Sequence, residues 1–120
     1  MGWRGRRQAV CLRAEHGGGS FVVSPNSDIE HRVRLVCSED DAYDRFYNIF
    51  ANPMLWFIQH YLWDLSNAPD VRQEETDAFD FGYQAVNRDL ADAVVEEISD
   101  LDSAIVMVHD YHLYTMPRMI

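Results

Sequence analysis

The stretch Ala104–Ile105–Val106–Met107–Val108–His109–Asp110–Tyr111–His112 decides how this chain is read. Its apolar half, Ala104 to Val108, has neither helical caps nor polar interruption, and is predicted to be a strand buried on both faces in a parallel sheet. Its polar half, His109 to His112, then falls just past the carboxyl end of that strand. Open α/β sheets bind ligands there, so the chemistry is expected at this turn. Leu113, Tyr114 and Met116 suit the start of a following helix, with Pro117 near its first turn.

Working back, Asp100 to Ser103 is a turn, and Glu74 to Ser99 reads as one long helix with an interruption at Gly82. Tyr83, Val86, Leu90, Val94 and Ile98 form its buried stripe; Arg88, Asp89, Asp92 and Glu96 cover the opposite, solvated face. Helix followed by buried strand is an α/β unit, and the fold class expected is an incomplete Rossmann-like parallel sheet. Ser66 to Gln73 is a loop by composition. Met54 to Leu65 is predicted as a helix that is apolar or aromatic nearly all round. Met54, Leu55, Ile58, Tyr61, Leu62 and Leu65 make its core stripe, while Trp56, Gln59, His60 and Trp63 share another face. That second face either packs in the core or stacks on a sugar ring while its polar groups bind hydroxyls.

An earlier helix begins after Ser38, a suitable N-cap, with Glu39, Asp40 and Asp41 in the turn that the helix dipole favours for acids. Tyr43, Phe46, Tyr47 and Phe50 give it an aromatic face, and Asn52–Pro53 is predicted to break it. Arg32 to Val36 and Ser20 to Ser24 read as strands, the latter closed by the turn formers Pro25, Asn26, Ser27 and Asp28. Residues 1–19, with Arg4, Arg6, Arg7, Arg13 and Gly17 to Gly19, are read as a flexible or non-native arm without assigned function.

A chain of 120 residues with 48% hydrophobic content is long enough for one domain with a real core. The formal net charge of −10 argues against nucleic acid or an anionic membrane as partner. No stretch approaches the ~20 consecutive apolar residues of a membrane span. Cys11 and Cys37 lie far apart in unlike contexts, which fits a reduced, cytoplasmic compartment. The chain has no lysine, which excludes a Walker-type phosphate loop and Schiff-base chemistry within it. His109 and His112 lack the second ligand cluster that a metal site needs, so no metal or cofactor is expected. Asp110 is left as the carboxylate poised to orient hydroxyls of a bound polyol.

Three blocks carry a resemblance. Arg45–Phe46–Tyr47–Asn48–Ile49–Phe50–Ala51–Asn52–Pro53–Met54–Leu55–Trp56 with His60–Tyr61, then Val86–Asn87–Arg88–Asp89–Leu90–Ala91, then Val108–His109–Asp110–Tyr111–His112–Leu113 resemble, in order and spacing, the signatures of the trehalose-6-phosphate synthases. The match runs from Arg32 to the C-terminus, with Leu90 where the family has phenylalanine. The resemblance implies a retaining, metal-independent GT-B glycosyltransferase of two facing Rossmann-like domains. Such an enzyme moves glucose from a nucleotide sugar to a sugar phosphate, with glucose 6-phosphate the usual acceptor. Residue by residue it implies that Tyr47, Trp56 and Asp110 line the acceptor pocket, with Asp110 catalytic. Residues 20–120 would then be part of the N-terminal, acceptor-side domain.

The family's Ser-Asn-Arg strand has no counterpart in the sequence, nor has the nucleotide-binding second domain with its arginine and lysine. The chain by itself is therefore expected to transfer nothing, and to belong to a longer enzyme that could be a homo-oligomer. Two other readings compete: a non-catalytic regulatory or truncated domain, and a phosphoacceptor receiver suggested by Asp40, Asp41 and Asp110. The missing lysine argues against the receiver. A relative acting on another sugar, polyol or cyclitol phosphate is a variant of the first reading.

Overall fold

Residues 8–12, 19–26, 29–62, 64 and 70–120 are described by the computed structural model, and they divide into two units between Cys37 and Ser38. The chain is α/β, with strands in the first unit and helices in the second.

In the first unit β1 (Gln8–Leu12), β2 (Gly19–Asn26) and β3 (Ile29–Val36) form a sheet of order β1-β3-β2. The strands predicted at Ser20 to Ser24 and Arg32 to Val36 are present and longer than expected. Strand β2 runs antiparallel to β3, pairing Phe21 with Val33, and is irregular between Val23 and Asn26. Strand β1 runs parallel to β3, pairing Ala9 with Val33 and Cys11 with Leu35. Two expectations are corrected here. The sheet is mixed rather than all parallel, and Gln8–Leu12 is a strand rather than part of a flexible arm. The run Gln8 to Leu12 is long enough for the five ladder positions it fills. The remainder of that arm, including Gly17 and Gly18, lies outside the described residues, as do Ser27, Asp28, Trp63 and Leu65.

The second unit is built on two long helices. Helix α1 (residues 40–59) is α-helical over Asp40–Asp44, π-helical over Arg45–Trp56 and α-helical again over Phe57–Gln59. The expected break at Asn52–Pro53 does not occur. Proline lacks the N–H and its ring collides with the carbonyl four residues back in a tight α turn. Wider π turns around Pro53 relieve that crowding and let the helix continue. Helix α2 (residues 73–98) has the same design: Gln73–Ala78 α-helical, Phe79–Tyr83 π-helical, Gln84–Ile98 α-helical. Its start is secured by the Arg72 backbone N–H, which donates to the Glu75 carboxylate at 2.8 Å.

The interruption expected at Gly82 is the π segment, and its cause is packing. A Cβ at Gly82 would lie 2.5 Å from the Arg45 Cβ and 2.7 Å from the Phe46 backbone nitrogen. The two helices thus cross with their backbones nearly touching. Around that crossing Phe46, Ala51, Met54, Ala78, Tyr83, Val86, Leu90, Ala91 and Val94 are buried, as the stripe on α2 foretold except at Ile98, which is half-buried. Phe50 packs its ring 5.0 Å from Tyr83 and 5.1 Å from Phe79.

Ser38 departs from its expected role. The helix begins at Asp40 with no side-chain cap, and the Ser38 hydroxyl instead donates to Asp89 on α2 at 2.5 Å. Ser38→Ala should therefore loosen the pairing of α1 with α2, costing about 1 kcal/mol in urea unfolding. Loss of a simple N-cap would leave the Asp89→Asn variant unaffected, whereas the observed bond predicts a similar loss in both.

Two further expectations are corrected. The core stripe predicted on Met54 to Leu65 is buried at Met54 but exposed at Ile58, Tyr61 and Leu62, because α1 ends at Gln59 and the chain turns there through a positive φ at Tyr61. Ala104 to Val108, predicted as a buried central strand, joins no sheet among the described residues. Ile105 and Met107 are 76% and 79% exposed. An extended apolar run needs a neighbouring ladder to become a strand, and the second unit has none among its described residues. Beyond it, the expected final helix is two 3₁₀ turns, Tyr111–Leu113 and Met116–Arg118, the second carrying Pro117. No helix among the described residues is long and apolar enough to cross a membrane.

Candidate active site

Asp110 opens the first of these turns with backbone φ 77 and ψ 160. That region is essentially reserved for glycine, and a side chain there costs roughly 1–3 kcal/mol. Strain of this kind persists only where the surroundings over-determine it, and it concentrates at functional sites. The carboxylate is hydrogen-bonded at one oxygen and faces an imidazole at the other. Oδ1 accepts from the Tyr111 backbone N–H at 2.7 Å, and Oδ2 lies 3.3 Å from His112 Nδ1. Its side chain is still 54% exposed, so its remaining lone pairs are open to a ligand. Asp110→Gly should leave the urea midpoint unchanged or raise it, relieving up to about 1 kcal/mol net once the lost Tyr111 N–H acceptor is counted.

The His112 ring is clamped between aromatics. It stacks on Tyr111 at 4.1 Å and on Tyr47 at 5.7 Å with planes 14° apart, and Phe46 lies 5.8 Å away. Among the described residues its Nε2 is buried with no hydrogen-bond partner, and its Nδ1 faces Asp110. The aromatic face predicted on Tyr43, Phe46, Tyr47 and Phe50 therefore reaches the His-Asp-Tyr-His turn through Tyr47. Asn52 reaches it as well, accepting from the Tyr111 hydroxyl at 2.9 Å.

Of the three residues expected in one pocket, Tyr47 and Asp110 both contact His112, Tyr47 at its ring face and Asp110 at Nδ1. The Trp56 ring stacks on His60 at 4.3 Å, near the C-terminal end of α1. Trp56 is 42% exposed, and His60 beside it is exposed as well. Among the described residues no three His, Cys, Asp or Glu side chains converge as metal ligands.

Two contributors were not singled out from the sequence. Tyr83, assigned only to the core stripe, donates its hydroxyl to the Tyr111 carbonyl at 2.5 Å and accepts from the Tyr114 N–H at 3.0 Å. Asn87 donates to the carbonyls of Tyr83 and His112 at 2.8 and 3.0 Å and accepts from the Met116 N–H at 3.1 Å. An asparagine between Val86 and Leu90 on an apolar stripe was the available signal, since a polar side chain at a core position must find partners.

Burial pushes the Tyr83 phenol above the usual tyrosine range, more than its hydrogen bond from Tyr114 lowers it. The unfolded chain then loses this proton first, so stability present below pH about 10 is lost as pH rises beyond it. Tyr83→Phe should flatten that alkaline decline. It should not abolish it, because burial also raises Tyr43 and Tyr111. A pH series of urea midpoints reads the change in slope.

The turn thus presents a partly exposed carboxylate next to a histidine on which the Tyr47 ring stacks. Residues 7–120 match the model of glycosyltransferase family 20, and the chain belongs to that family, the trehalose-6-phosphate synthases. The chain is 34% identical over 99 residues to the α,α-trehalose-phosphate synthase [UDP-forming] 1 of Aspergillus niger, covering 82% of this chain and 17% of that protein. It is 37% identical over 99 residues to the Aspergillus fumigatus protein of the same name, covering 82% and 18%. With an Escherichia coli trehalose-6-phosphate synthase it shares 42% identity over 76 residues, 63% of this chain and 14% of that enzyme. The chain thus spans less than a fifth of the length of these relatives.

Proposed function

We propose that this chain is part of the N-terminal, acceptor-side Rossmann-like domain of a retaining GT-B glycosyltransferase. The reaction is transfer of glucose from UDP-glucose to glucose 6-phosphate, giving trehalose 6-phosphate in the cytoplasm. The observation that carries the reading is the Asp110 turn: a glycine-like backbone kept at a carboxylate, with Tyr47 stacked on His112, two residues further along the same turn. In this role Asp110 accepts hydrogen bonds from acceptor hydroxyls and fixes the attacking hydroxyl, while the Tyr47 ring covers an apolar sugar face. Trp56 is assigned to the same acceptor on the strength of the family resemblance alone. The nucleotide sugar is held by residues of the longer protein.

The exposed apolar run at Ile105 and Met107 supports the same architecture, because an extended segment with these side chains is suited to pairing in a parallel sheet of the complete enzyme. The test is an assay of the full-length protein with UDP-glucose and glucose 6-phosphate, following UDP release and the disaccharide phosphate. Turnover dependent on both substrates is expected. Binding of neither sugar would overturn the reading in favour of a non-catalytic domain.

A further inference from the structure

The turn that carries Asp110 has little support of its own. Its internal backbone bonds are those of short 3₁₀ turns, Leu113 N–H to Asp110 at 3.2 Å, Arg118 N–H to Thr115 at 3.3 Å and Met119 N–H to Met116 at 2.9 Å. Such turns do not by themselves hold a non-glycine residue in a glycine-only region. The missing constraint comes from one face of α2. Tyr83 and Asn87 stand one helical turn apart, and their side chains bond four backbone groups spread over residues 111–116.

Asn87 is fully buried, and both its amide atoms are used: Nδ2 on Tyr83 and His112, Oδ1 on Met116. Asparagine is a poor helix former, and burying its amide gains nothing over a packed apolar side chain unless the bonds serve a purpose. Gripped at Tyr111, His112, Tyr114 and Met116, the turn cannot relax its entry residue.

We infer that Tyr83 and Asn87 are positioning residues of the acceptor site, whose grip on residues 111–116 holds Asp110 in its strained conformation and sets where its carboxylate points. The assignment of an acceptor site rests on the function proposed above; the grip itself does not. Neither residue touches the ligand, and both act through Asp110. Tyr83→Phe is the cleanest probe, since it keeps the ring in the core and removes only the hydroxyl. Asn87→Asp is the second, isosteric and lacking the two donors.

Two measurements separate the parts of the claim. In the 120-residue chain, amide hydrogen exchange at Tyr114 should accelerate by about tenfold in Tyr83→Phe, the equivalent of one lost hydrogen bond, while Leu90 in mid-helix keeps its protection. Unchanged exchange at Tyr114, or an equal rise at Leu90, overturns the grip whether or not sugars bind. In the full-length protein, Tyr83→Phe should lower kcat/KM for glucose 6-phosphate by about tenfold with KM for UDP-glucose unchanged. Val86→Ala, which cuts the same core without a bond to the turn, should leave both constants unchanged.

In an Asp110→Asn background the Tyr83→Phe change should cost nothing further, because the group it positions is gone. Additive losses, or an equal fall in Val86→Ala, would make Tyr83 a merely structural residue. Absence of turnover in the parent protein would defeat the functional proposal, leaving the exchange experiment to decide the grip.

Discussion

Asp110→Asn in the full-length protein is expected to lower kcat/KM for the sugar-phosphate acceptor roughly 10- to 100-fold, while Asp92→Asn leaves it within about twofold. The contrast is between two carboxylates of one chain. Asp92 stands on the exposed face of α2. Asp110 sits on a backbone of φ 77, bonded to the Tyr111 N–H and facing His112, with the rest of its acceptor capacity open to solvent. The amide keeps the size and one acceptor oxygen, so the fold should tolerate it. It loses the charge that strengthens bonds to sugar hydroxyls, and it places an N–H₂ where one lone pair was needed. Steady-state kinetics with the acceptor varied reads the effect, and equal activity of the two variants would remove Asp110 from the site. Read with Asp110→Gly, which is expected to be at least as stable as the parent and without acceptor affinity, it separates the use of the carboxylate from the cost of holding it there.

Gly82→Ala is expected to produce the largest loss of stability, about 2 kcal/mol or more in urea unfolding of the second unit. On an isolated helix the change would help by roughly 1 kcal/mol, alanine being the better helix former. Here the new methyl would meet the Arg45 Cβ at 2.5 Å and the Phe46 nitrogen and Arg45 carbonyl carbon at 2.7 and 2.9 Å. Two of those three atoms are backbone, which cannot rotate away. The helices must separate, and the separation has a functional reading because Phe46 and Tyr47 follow Arg45 directly. The Tyr47 stack on His112 and the Phe46 contact with Tyr83 should both loosen. Near-UV circular dichroism of the tyrosines should weaken along with the unfolding midpoint. Gly82→Val should lose more than Gly82→Ala, and a variant as stable as the parent would contradict the close crossing.

Part of this was legible in the residues alone. The period of Tyr83, Val86, Leu90 and Val94 foretold the buried face of α2, because a helix must turn one stripe inward to gain from the hydrophobic effect. The aromatic spacing from Tyr43 to Phe50 likewise foretold the face that packs. The concentration of His109, Asp110, Tyr111 and His112 marked the candidate turn, where Asp110 takes its unusual backbone. Strands at Ser20 to Ser24 and Arg32 to Val36 followed from alternation and turn formers.

Other features depended on neighbours far away in sequence, and no local pattern carries those. Whether Ala104 to Val108 becomes a strand is set by a ladder to pair with, not by its five apolar side chains. Whether Pro53 ends a helix is set by how wide its turns can open, and whether Ser38 caps one by Asp89 lying within reach, 51 positions along the chain. Sequence by itself determined the family, the amphipathic faces and the residue types at the turn. Tertiary structure decided that Gly82 is a crossing point, that Trp56 stacks on His60, and that Tyr83 and Asn87 grip the backbone after Asp110. The reason is physical: apolar periodicity reports one element's gain from burial, whereas close approach, strain and buried hydrogen bonds exist only once two elements meet.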